Sequence, residues 1–279
     1  SNFDYKRPDY KSIKEIFDLR VKEIEKASTY EEQKRSIEKL NVVRNNIESM
    51  STISSIRYSI NTEDEFYEKE RGYWDEYSPL YEELNSLFYK AIVNSKFKEN
   101  IIKDYGRQFF KIVEYSLKSF SSEIIDELQE ENRLCSEYTK LLASAKIDFE
   151  GEERNLSGLG SFMLSEDRSM REKASKAYYE YFEANENKFD DVFDKLVKVR
   201  SKIANKLGFE NFVEVGYIRM MRTDYNAEMV KNFRSQVLKY IVPVASKLYK
   251  RQEERLGLDK LTYVDEGFEF LSGNATPKG

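Results

Sequence analysis

At 279 residues the chain exceeds a typical single domain, and 40% hydrophobic with 35% charged residues, 11 glycines and 4 prolines suits long amphipathic helices joined by short turns. Its 46 basic residues are interspersed with 51 acidic ones for a formal charge of −5, so no concentrated positive surface is offered to nucleic acid, and none is expected as a partner. Histidine is absent and Cys135 is the single cysteine, which removes imidazole chemistry, an intrachain disulfide and cysteine-rich metal sites from what these residues can do.

Ile13, Ile16, Phe17, Val21 and Ile24 recur every three or four residues and predict a first helix. Thr29 and Glu32 form a capping-box pattern, after which Ile37, Leu40, Val43, Ile47, Ile53 and Ile60 predict a long second helix. Thr62 and Glu65 repeat the pattern ahead of Phe66, Tyr73, Tyr77, Tyr81, Leu84 and Phe88. Pro79 lies inside this stripe, where it is expected to kink or divide the helix. Helices are predicted near Phe109 to Leu117 and from about Ser122 to Ser144. Next, Ile147 and Phe149 alternate with charged residues before Gly151, predicting the one β-hairpin near residues 145–157.

Ser165 or Asp167 can cap a helix through Met170, Ala174 and Tyr178. Another stripe, Phe189 to Leu207, stops at Gly208. Asn211 opens a shorter helix through Met221, and Asn226 a longer one interrupted at Pro243 and stopping near Gly257. From Leu258 the periodicity dissolves, so the chain is expected to break off in a loop, as a truncated domain would. The expected fold class is all-α, mainly long antiparallel helices, with residues 1–164 as an N-terminal lobe ending in the hairpin. No run of roughly 18 apolar residues offers a membrane span, and the start lacks a basic segment leading into an apolar one. A cytoplasmic protein without a membrane partner is expected.

The acidic pairs Glu152-Glu153 and Asp190-Asp191 are read as solvated faces, since adjacent side chains diverge. Asp64, Glu65, Glu68 and Glu70 lack calcium-loop spacing. Trp74 with its neighbouring tyrosines is read as interhelical packing, and Cys135 as a small buried hydrophobe. Asp167, Arg168 and Arg171 are read as a capped ion pair tying the preceding hairpin to its helix. Tyr217, Arg219 and Arg222, near the Gly216 turn, are the candidate binding residues, because arginine can meet a carboxylate. No catalytic or metal-binding residue is assigned.

The run Ser165-Glu166-Asp167-Arg168-Ser169-Met170-Arg171-Glu172-Lys173-Ala174 is followed by Val199-Arg200-Ser201-Lys202-Ile203-Ala204-Asn205-Lys206-Leu207-Gly208-Phe209. Met221-Arg222-Thr223-Asp224-Tyr225, Val242-Pro243 and Gly273-Asn274-Ala275-Thr276-Pro277-Lys278-Gly279 come after it in order. Residues 145–279 thereby resemble the middle region of oligoendopeptidase F and related thimet-oligopeptidase-like zinc metallopeptidases; the earlier residues resemble only a helical leader. The resemblance implies an intracellular zinc enzyme that hydrolyses short peptides in a channel between helical lobes, a channel that Tyr217, Arg219 and Arg222 would line, with its zinc held by a His-Glu-x-x-His helix. That motif is absent here. The expectation is therefore an N-terminal portion, with residues 165–279 beginning the peptidase core, that binds no zinc and is inactive alone. Its partners would be short peptides, the missing C-terminal half, and other copies of itself. The alternative is a helical scaffold that binds a partner helix or peptide.

Overall fold

The computed structural model describes residues 3–275; Thr276 to Gly279, the end of the last resembling motif, lie outside the described residues. Among the described residues the chain is mainly helical, with one two-stranded hairpin. It divides into two compact units, each drawn from two stretches: residues up to Glu137 with Asp194–Asn226, and Tyr138–Phe193 with residues from Ala227 onward.

In the first unit, α1 (Tyr10–Lys26), α2 (Tyr30–Ile60) and α3 (Glu65–Val93) bury Phe17, Ile24, Ile37, Leu40, Leu84, Phe88 and Ile92 in one core. Each such side chain contributes roughly 1.5–3 kcal/mol by leaving water. The capping box at the start of α2 forms as predicted: Thr29 accepts from the Glu32 N–H, and Glu32 accepts from that of Thr29. At α3 the cap is Asp64 and not Thr62; its carboxylate accepts from the Phe66 and Tyr67 amides, because Thr62 falls inside the turn that closes α2.

Pro79 does not divide α3. Its missing N–H would have bonded the Asp75 carbonyl, and that acceptor is taken instead by the Asn132 side-chain amide at 3.1 Å. Gln129 likewise donates to the Glu76 carbonyl at 2.8 Å. Both donors come from α6 (Ile125–Ala143), which lies beyond α4 (Lys98–Tyr105) and α5 (Arg107–Lys118) in the chain. The eight residues of α4 are too few to show a stripe, so the sequence pattern passes over them.

In the second unit, β1 (Ile147–Phe149) pairs antiparallel with β2 (Glu152–Arg154). Glu150 and Gly151 turn the hairpin with φ of 54° and 79°, the left-handed pair such a tight turn requires. Phe149, Leu159 and Ala174 form a small core between the hairpin and α7 (Arg168–Ala184), which Asp167 caps. Next in the chain come α8 (Glu186–Lys206) and, in the first unit's later stretch, α9 (Phe212–Arg219), which ends before Met221. After α10 (Ala227–Gln236), the π-helical segment Val237–Ile241 runs into α11 (Val242–Leu256). The Val242 N–H reaches back five residues to the Val237 carbonyl, a widened turn that carries the helix past Pro243 without a break. Gly257, at φ 65°, supplies the left-handed stop.

Candidate functional site

The residues singled out for the channel sit on α9 and the turn after it. Asn211 caps α9 by accepting from the Val213 amide at 2.9 Å, and Met221 adopts a positive φ of 53° as the helix terminates. The three side chains do not act together. Arg219 donates to Glu131 at 2.8 Å, Arg200 donates to the other Glu131 oxygen at 2.7 Å, and both guanidinium groups lie near the Phe212 ring. Glu131 is buried, so Arg219 is held as a structural group clamping α9 to α6 and α8.

Tyr217 and Arg222 share a different neighbour. The Tyr217 ring meets Tyr225 edge-on at 6.5 Å, and the exposed Arg222 guanidinium lies 5.3 Å from the centre of the same ring. The backbone around them is fixed by Tyr115, which donates to the Arg222 carbonyl, and by Gln108, which donates to Thr223 at 2.8 Å. A half-buried tyrosine beside an arginine stacked on an aromatic ring can receive a carboxylate from solvent.

The acidic residues are committed elsewhere. Glu127 is buried and accepts from Lys202 at 2.6 Å and Lys206 at 2.8 Å; burial pushes its carboxyl up, but these bonds outweigh that and lower it. Glu70 is bonded by Arg7 and Tyr5, and burial, with this contact, raises the Tyr5 phenol to about 12. Glu152 pairs with Arg154. Cys135 is half-buried, and burial raises its thiol. Among the described residues no group of three histidine, cysteine, aspartate or glutamate side chains converges as a metal would require. With no histidine in the sequence, the residues present do not fit a zinc site.

The best-enclosed polar cluster is one the sequence revealed only in part. Asp265, with no exposed surface, accepts from Arg171 at 2.8 Å and from Arg168 at 3.0 and 3.1 Å. Thr262 donates to it through both its amide and its hydroxyl. Burial alone would raise the Asp265 carboxyl, but the bonds from Arg168, Arg171 and Thr262 prevail and hold it far below the usual carboxylate range. Arg171 also donates to the carbonyls of Ser165, Glu166 and Val264, and Gln252 to those of Asp265, Glu266 and Phe268. The arginines thus tie α7 to the segment after Leu258 and not to the hairpin. That segment is irregular, as its composition predicts, yet it is anchored by buried Val264, Asp265 and Phe268. The two arginines signalled the need for a carboxylate; nothing local marked Asp265 as the one.

Family models place this arrangement. The model for the peptidase M3 N-terminal domain matches residues 1–120, and that for peptidase family M3 matches residues 161–268. Over its whole length the chain superposes with a TM-score of 0.96 and 50% identity on a Bacillus anthracis str. Ames protein assigned as an oligoendopeptidase F. The chain belongs to peptidase family M3. A second M3 relative, solved as PZ peptidase A with an inhibitor, gives a TM-score of 0.97 at 49% identity, again over all of this chain. The M3 chain spans about half of each, 51% of the first and 50% of the second. Oligoendopeptidase-F from Enterococcus faecium, at 18% identity and a TM-score of 0.67 over 94% of this chain and 56% of its own, shares the fold. Comparison with curated proteins gives no match.

Proposed function

We propose that this chain is the N-terminal portion of an intracellular zinc metallo-oligopeptidase, walling one side of a channel in which short peptides are hydrolysed. One observation carries the reading: a chain without histidine matches, end to end and at 49–50% identity, about half of family M3 proteins of twice its length. The zinc ligands and the general base would come from the other half, and this chain alone would be inactive. Residues 1–164 would form the leader lobe and 165–279 the start of the peptidase core. Tyr217 and Arg222 would line the channel, with Arg219 holding their helix in place.

The exposed apolar face that runs from α10 through the π-helical segment Val237–Ile241 into α11 supports a partner segment. Phe233, Leu238, Ile241 and Leu248 are each more than half exposed, an apolar density that isolated domains avoid. The C-terminal half would cover it, and without that half the chain would self-associate. Among the described residues no helix is long and apolar enough to cross a membrane.

The test compares the intact parent chain with residues 1–279 alone for zinc content and for cleavage of a quenched fluorescent peptide, with and without chelator. Chelator-sensitive cleavage by the parent and none by the segment is expected. Zinc-dependent cleavage by the segment alone would overturn the division of labour. An inactive, zinc-free parent would favour a helical scaffold.

A further inference from the structure

The helix that runs from α10 through Val237–Ile241 into α11 buries side chains at one end only. No residue of α10 or of the π-helical segment is buried, and α11 buries only Gln252 and Leu256. Gln252 donates to the carbonyls of Asp265, Glu266 and Phe268, so the segment after Leu258 is fastened beside that end of the helix.

Half-buried Ala245 lies two turns before Gln252 on the same line, and this line is the seam toward the chain's own fold. Ile241 and Leu248 stand four residues before Ala245 and Gln252; Val242 and Tyr249 stand three before them. Positions three and four back fall on opposite flanks of such a line, because three residues stop short of a 3.6-residue turn and four overshoot it. Val244, one turn before Leu248, joins the first flank, and Leu238, one turn before Val242, joins the second. All six side chains are exposed, Leu248 by 56% and Leu238 by 68%. The side away from the seam carries the exposed Lys239, Lys247 and Lys250. The helix is thus basic along its back and apolar on two flanks. One neighbouring helix receives one ridge in its groove, so a single partner laid on the first flank leaves the second in water.

We propose that the continuation of this chain beyond residue 279 clasps the helix from both flanks, one segment against Ile241, Val244 and Leu248 and another against Leu238, Val242 and Tyr249, with the lysine side left to solvent. Two observations choose that occupant. The relatives that match this chain end to end carry about as many residues again, since it covers 51% and 50% of them. Asn274, near the end of the described residues, donates to the Gly267 carbonyl and accepts from the Glu269 amide, on either side of the Phe268 that Gln252 holds. The continuation therefore sets out from the foot of the helix it is to cover. This inference rests on the reading of the chain as the N-terminal portion of a longer protein. It adds that the two halves share one core and do not merely meet at a single face.

Hydroxyl-radical footprinting reads these side chains without altering them. The intact parent and the monomeric fraction of the 279-residue chain would be oxidised side by side, with Leu238, Ile241, Leu248 and Tyr249 scored by mass spectrometry. All four should be oxidised in the 279-residue chain and should lose most of that reactivity in the parent monomer. A flank that stays reactive in the parent reduces the clasp to one-sided docking and overturns the proposal. Protection that appears only in a parent dimer gives the face to a second copy and overturns it too. Leu238→Asp and Leu248→Asp supply an independent reading. Each should leave the melting temperature of the 279-residue chain unchanged, where its side chain is exposed, and lower that of the parent by about 5 °C or more; an unchanged parent would sink the proposal. Zinc content and peptide cleavage are scored separately. A zinc-free, inactive parent with both flanks protected would defeat the peptidase reading and leave the clasp standing, and an active parent with a reactive flank would do the reverse.

Discussion

Arg171 and Asp265 are joined at 2.8 Å with almost no surface exposed on either, although 94 positions separate them in the chain. A buried pair of this kind is worth little against a matched apolar replacement, but breaking it by removing one partner leaves a charge uncompensated. Arg171→Leu and Asp265→Leu are each expected to destabilise the protein by about 3–5 kcal/mol. Urea denaturation checks this; the segment after Leu258 should become protease-sensitive in both variants.

The same carboxyl sets an acid limit. Asp265 and Glu127 hold protons less tightly folded than unfolded, since each has a carboxyl lowered by its cationic partners. Their stabilisation is complete above the unfolded carboxylate value of about 4 and is lost as pH falls from there through the folded values. Thermal scans should show a melting temperature that drops steadily below about pH 4, and an Asp265→Asn protein should show a shallower drop.

Asn132 serves the Asp75 carbonyl that Pro79 leaves unbonded. Asn132→Ala should cost about 1–3 kcal/mol, the penalty of a buried acceptor without a donor. Adding Pro79→Ala to that variant restores an N–H in register and should recover part of the loss, whereas an additive result in denaturant melts would mean the two sites are uncoupled.

Arg219 and Arg222 should separate by readout. Arg219→Ala leaves Arg200 to hold Glu131 alone and is expected to lower the melting temperature. Arg222→Ala, on an exposed and stacked side chain, should leave melting within about 0.5 kcal/mol. In the intact parent it should raise KM for peptides with a free C-terminus.

The helical stripes and the Thr29 box were legible because their causes lie within a few residues of one another. Asp64 could not be told from Thr62, since both offer a capping oxygen and the choice depends on where α2 ends. Pro79 and Pro243 read as breaks because their remedies were invisible locally: a side-chain donor 53 positions beyond Pro79, and a one-residue slip in helical register before Pro243. Tyr217, Arg219 and Arg222 were chosen for residue type; that Arg219 is occupied by Glu131 depends on α6, far away in sequence. A cavity around Glu82 is not legible in the sequence because α2, α3, α5 and Met221 each contribute a few residues to it and no single stripe looks unusual.

The first unit draws on residues up to Glu137 and then on Asp194–Asn226. During synthesis, Glu131 therefore leaves the ribosome long before Arg200 and Arg219 exist to neutralise it. The early helices can collapse around Phe17, Leu40 and Phe88, but α6 must wait with its acidic face unpaired until the whole stretch 138–193 has been made. A pause or nick within that stretch would strand a half-built unit, so the linear order of translation makes residues 138–193 the interval in which nascent chains are most exposed to chaperones and proteases.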